Sequence, residues 1–131
     1  MNDYEVKIFN NVYPVAAPLC AENKFISTQV MDLTRLPTAG LWEMDNATYR
    51  RTQTSALAED FSLITYQLEV YAKTKSECRQ VFKAIDERMF TMNFERIRGQ
   101  YITYPDNMGI VRYVARYEAV VDRDGNLYRR S

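Results

Sequence analysis

The stretch SLITYQLEVYAKTKSECRQVFKAIDERM, Ser62–Met89, sets a strand and a helix back to back, and any fold of this chain must accommodate both. Ile64, Tyr66, Leu68, Val70 and Ala72 alternate with Thr65, Gln67 and Glu69. That is the period of a sheet strand with one face on a core. Thr74 and Glu77 follow at the spacing of a capping box, in which the hydroxyl accepts from the N3 amide and the carboxylate reaches back to the cap amide. Cys78, Val81, Phe82, Ile85 and Met89 then recur at helical spacing as one apolar stripe, with Lys75, Arg79, Lys83 and Glu87 on other faces.

A second strong strand is predicted over Ile110–Asp122. Val111, Tyr113, Ala115, Tyr117, Ala119 and Val121 share one face, and Arg112, Arg116 and Glu118 share the other. Between the helix and this strand, Met92–Gly109 turns at Asn93, runs out as a strand and breaks at Pro105-Asp106-Asn107. Asp124-Gly125 supplies a hairpin turn, after which NLYRR returns as a short edge strand. Upstream, Lys24–Leu33 reads as a strand because Phe25, Ile26, Val30 and Met31 are β-tolerant, and AGLWEMD reads as another. Tyr4, Ile8, Val12 and Tyr13 predict an N-terminal helix of about ten residues, capped by Asp3 and stopped by Pro14 and Pro18; a strand at YEVKIF is the rival reading. The order points to an α+β domain: a mainly antiparallel sheet with one amphipathic helix packed on one face and a short helix at the N-terminus.

A chain of 131 residues is one domain's worth, so residues 1–131 are read as a single unit. Seventeen basic and seventeen acidic residues cancel, which argues against a partner held mainly by phosphate charge. The balance is uneven along the chain. Residues 1–60 hold eight acidic and five basic side chains, and residues 88–131 hold five and eight, so the two parts carry −3 and +3. Such a split suits a protomer whose surfaces of opposite sign meet head to tail. The start MNDYEVKIFNN is charged and has no hydrophobic segment of the signal-peptide kind, and no apolar run is long enough for a membrane helix. Cys20 and Cys78 are therefore expected as free thiols in a reducing compartment.

The chemistry on offer is narrow. The chain has no histidine, which removes Ser-His-Asp and Cys-His arrangements and the commonest metal ligand. DRDGN, Asp122–Asn126, resembles a calcium loop, but its glycine comes too early and the chain ends before the required glutamate, so a tight turn is expected. Glu69 and Lys73, with Pro105-Asp106, have the wrong spacing and order for a metal nuclease. Four scattered glycines make no phosphate-cradling loop. Neither an enzyme nor a cofactor or metal site is expected.

What remains points to contacts. Arg96, Arg98, Arg112 and Arg116 fall on adjacent strands in a chain with ten tyrosines. Arginine and tyrosine together suit a protein interface or a single-strand nucleic-acid surface, and zero net charge favours the former. The polar segment EMDNATYRRTQTSALAEDF lacks an apolar period and is poor in glycine and proline. It reads as an arm or extended hairpin over residues 45–61 that gains order on a partner, with a mobile surface loop as the alternative. The candidate contact residues are Tyr49, Arg50, Arg51, Thr52, Gln53, Glu59 and Asp60 in the arm, Arg112 and Arg116 on the strand, and Tyr128 and Arg129 on the short edge.

Several of these segments carry a resemblance. WEMDNATYRRTQ, ITYQLEVYAKTKSEC, CRQVFKAIDERMFTMNFERI and YPDNMGIVRYVARYEAVVDRDGNLYR stand in the order and spacing of the small tail-terminator, or tail-completion, proteins of tailed bacteriophages. From about Leu41 onward the chain is similar to that family. The resemblance implies a virion protein made in the host bacterial cytoplasm. It implies a homo-oligomeric ring, commonly a hexamer, on the head-proximal end of the tail tube, where it contacts the tube protein and the head connector. DNA would pass through the channel without sequence-specific binding, and the family brings no catalytic residues. Another neck component, a head-closure or adaptor protein, is the alternative within the same biology.

Overall fold

The computed structural model describes residues 3–30, 33–48, 61–103 and 109–129. Helix α1 (Asp3–Ala16) and a 3₁₀ turn (Ala17–Leu19) precede strands β1 (Phe25–Ile26), β2 (Thr38–Thr48) and β3 (Phe61–Ala72). Helix α2 (Lys75–Thr91) follows, then β4 (Glu95–Thr103), β5 (Val111–Asp122) and β6 (Leu127–Tyr128). The strands form one sheet in the order β1-β2-β3-β5-β4, and β6 also pairs with β5. Among the described residues only the β1–β2 pairing is parallel; the others are antiparallel. The α+β class is as expected.

Long-range pairing centres on β3 and β5, in unbroken register from Phe61↔Asp122 to Ala72↔Val111. Their shared inner face carries Ile64, Tyr66, Leu68, Val70, Tyr113, Ala115, Tyr117, Ala119 and Val121, all buried. Both helices pack on that face and on each other. In α2, Cys78, Val81, Ile85 and Met89 are buried as the stripe requires, each contributing about 1.5–3 kcal/mol. The cap is also in place: Thr74 Oγ1 accepts from the Glu77 amide at 3.1 Å.

Helix α1 is longer than the prolines suggested. It has 14 residues and runs through Pro14 to Ala16. The cause is packing: Ile8, Val12 and Ala16 continue one buried row at i, i+4 and i+8, so the last turn is held from outside while Pro14 faces solvent. The strand rival at YEVKIF is excluded.

The strand expected over Lys24–Leu33 shrinks to Phe25–Ile26, which pairs with Ala39 and Gly40. Beyond it the chain leaves the sheet margin and crosses the other face. A Cβ built on Gly40 would meet the Thr28 carbonyl oxygen at 2.4 Å and Val30 Cγ2 at 3.1 Å, so glycine at this position is what admits the crossing. The turn at Asn93 forms with φ at 71°, and the DRDGN segment is a tight turn with Gly125 at φ 85°. Asp122 Oδ1 accepts from the Asp124 and Asn126 amides, both at 2.9 Å. Its Oδ2 accepts from Asn126 Nδ2 at 3.1 Å and the Tyr128 hydroxyl at 3.0 Å. The expected break at Pro105-Asp106-Asn107 lies outside the described residues. No described helix is long and apolar enough to cross a membrane.

Candidate functional site

The helices leave the second face of the sheet to other cover, and the strand register sorts its side chains into cross-strand rows. One row runs Thr38, Tyr71, Arg112. The next holds Gly40, Glu69 and Val114. A third holds Trp42, Gln67, Arg116 and Arg98, and a fourth holds Asp45, Thr65, Glu118 and Glu95. Bulges between Glu43 and Asp45 in β2, and between Arg96 and Arg98 in β4, keep Asp45 and Arg98 on this face. The result is a basic row lying directly beside an acidic one.

Its centre is a buried carboxylate. Glu69 is 1% exposed, although strict alternation sends it away from the helices. Arg112 Nη2 donates to Glu69 Oε2, and Gln67 Nε2 and the Tyr71 hydroxyl lie 3.4 and 3.5 Å from the same carboxylate. The Arg112 guanidinium sits 5.8 Å from the Tyr71 ring centroid. Burial opposes its charge, but hydrogen bonding to Glu69 and the neighbouring negative charge hold its pKa above the ordinary arginine value. Arg116 Nε donates to Gln67 Oε1 at 3.1 Å. Glu69 thus ties Arg112 directly and Arg116 through Gln67.

Of the residues singled out from the sequence, this face gathers Arg98, Arg112 and Arg116. Arg96 lies on the other side, paired with Asp86 of α2 at 3.5 Å and placed over the Phe82 ring. Tyr128 and Arg129 serve within the chain. The Tyr128 hydroxyl closes the Asp122 turn, while Arg129 lies 4.3 Å over the Phe90 ring and donates to the Phe90 carbonyl at 3.2 Å. Tyr49, Arg50, Arg51, Thr52, Gln53, Glu59 and Asp60 lie outside the described residues. Their flanks do not: Thr48 pairs with Ser62, so residues 49–60 connect two adjacent antiparallel strands.

Sequence reading missed Glu69, because alternation alone assigns it to solvent. Its signal is Arg112 on a strand far along the chain, visible only once the register is known. The tyrosines of β5 were expected on the face opposite its arginines, and Tyr113 and Tyr117 do point into the core, 8% and 1% exposed; Tyr117 donates to Asp86 Oδ1 at 2.8 Å.

No protein-family model matches the chain, and no curated protein matches it. Among the described residues no group of three or more His, Cys, Asp or Glu side chains could hold a metal ion. A basic row beside an acidic row is suited to recognition. Its mixed signs suit a protein better than a phosphate backbone, because Asp45, Glu95 and Glu118 would repel the phosphates that Arg98 and Arg116 attract.

Proposed function

We propose that this chain is a structural subunit of a phage tail, a tail terminator. Copies join head to tail into a ring of about six on the head-proximal end of the tail tube, where the ring ends polymerisation and receives the head connector. The observation that carries the subunit contact is the pair of neighbouring rows on the sheet face that the helices do not cover. In such a ring the two rows of one copy, Arg98 and Arg116 beside Asp45, Glu95 and Glu118, meet a different surface of complementary charge on the next copy, because like faces meeting would close a dimer. The order of segments from Leu41 onward supports the family, and the β2–β3 connection supplies the arm that reaches the adjacent subunit or the tube.

The test uses tail-tube protein polymerised with and without the chain. Tubes should stop at limited length with added density at one end. Unchanged tube growth with bare ends refutes the reading. Deleting Thr48–Ala56 should abolish end-binding while the domain stays folded; a deletion variant that still forms rings and blocks growth removes the arm from the account.

A further inference from the structure

A second cluster lies on the opposite side of the sheet, where α1 meets β2, and the contact proposed above does not use it. Tyr4 of α1 donates through its hydroxyl to Glu43 Oε1 of β2, and Asn46 Nδ2 donates to the same hydroxyl at 2.9 Å. Glu5, the next residue of α1, lines the same space as Glu43.

The cluster faces a small, partly open recess. A cavity of about 20 Å³ is lined by Glu5, Phe9, Ser27, Leu41, Trp42, Glu43 and Tyr66. That is room for one water or one small ion. Tyr66 is 3% exposed, and its hydroxyl is buried with no hydrogen-bond partner. Tyr66 lines this space together with Glu5 and Glu43. A buried hydroxyl left unmatched beside two carboxylates is a costly arrangement unless something occupies the space between them.

We propose that this cavity is a binding site for one hard divalent cation, of the calcium or magnesium class, held by the Glu5 and Glu43 carboxylates and the Tyr66 hydroxyl. All the donors are oxygens, as such ions prefer. With two carboxylates rather than three, the remaining positions fall to the Ser27 hydroxyl or to water, which both ions accept. The ion would lie between two carboxylates, so the charges balance. The groups that act on Glu43 are Tyr4 and Glu5 from α1 and Asp45 from its own strand, none of them a cation. The ion would clamp the first turn of α1 onto β2.

The test is sensitised luminescence of terbium, a hard-cation probe, added to the full chain with excitation of the tyrosine and tryptophan side chains. Trp42 and Tyr66 line the cavity and should transfer energy to the bound ion. Saturable emission is expected, reversed by calcium or magnesium, and whichever competes at lower concentration identifies the ion. Glu43→Gln should weaken binding about tenfold or more through loss of ligand charge. Glu5→Gln, in the first turn of α1 where Glu5 is half-buried, is the second variant should Glu43→Gln fail to fold. Asp122→Asn, in the β5–β6 turn beside Tyr128, should change nothing. Absence of saturable emission, wild-type affinity in both glutamine variants, or loss of emission in Asp122→Asn overturns the proposal.

Discussion

Glu69 and Arg112 lie on neighbouring strands, two positions out of direct register, and form an ion pair on the sheet face that the helices leave uncovered. The Glu69 side chain is 2% exposed and the Arg112 side chain 26%, so the pair is half sunk rather than a surface contact. Such a pair is worth little over a well-packed apolar replacement, but breaking it strands a buried charge. It also holds Gln67 and, through it, Arg116 in the row that the proposed contact uses.

Arg112→Ala should therefore cost about 3–5 kcal/mol, read as a drop in the urea midpoint. Replacing both partners, Glu69→Leu with Arg112→Met, should recover most of that loss while weakening assembly. A single-variant loss below about 1 kcal/mol would mean the pair is screened like an ordinary surface bridge.

Gly40→Ala places a methyl against the Thr28 backbone carbonyl, where a Cβ would stand at 2.4 Å. A backbone atom cannot swing aside as a side-chain tip can. The variant should lose about 1–3 kcal/mol by overpacking and should expose the segment that crosses the sheet to proteolysis. Wild-type thermal stability in Gly40→Ala would show that the crossing segment is not seated there.

Thr74→Ala removes the acceptor for the Glu77 amide at the start of α2. The expected loss is about 0.5–2 kcal/mol, with Thr74→Ser close to wild type. Equal losses in both variants would point to something other than the cap.

Burial pushes the Cys20 thiol up to about 12 and the Cys78 thiol up to about 11 from an ordinary 9.0. Burial also raises Tyr66 and Tyr117 above the usual tyrosine value. The sign is the same for all four. The unfolded chain loses these protons first, so their contribution is complete below about pH 9 and is lost as pH rises through the folded values. Stability should fall steeply on the alkaline side, and Cys78 should resist alkylation at pH 8 until urea is added. A flat stability profile between pH 9 and 11 would contradict this.

Much of the fold was legible because its strongest signals are local. The alternation in β3 and β5, the α2 stripe and the Thr74 cap each specify a backbone state within a few residues. What misled was decided at a distance. Ala16 extends α1 past Pro14 because a core waits beneath it. Of the apolar residues in Lys24–Leu33, Phe25 and Ile26 form only a short ladder, and Val30 belongs to the crossing over Gly40. Glu69 is buried because Arg112 arrives from β5. The rows of the candidate site were hidden for the same reason: bulges in β2 and β4 set which of Asp45, Arg96 and Arg98 share a face, and no local pattern marks them.

The measurement closest to the central claim is the mass of the purified full chain in solution, across concentration and salt, with Arg98→Glu beside it. The account predicts an assembly of about six copies for the wild type, seen as closed rings in negative stain. Its mass should fall as salt screens the rows, and Arg98→Glu should shift it toward single copies. A wild-type chain that stays at the mass of one copy under every condition would contradict it.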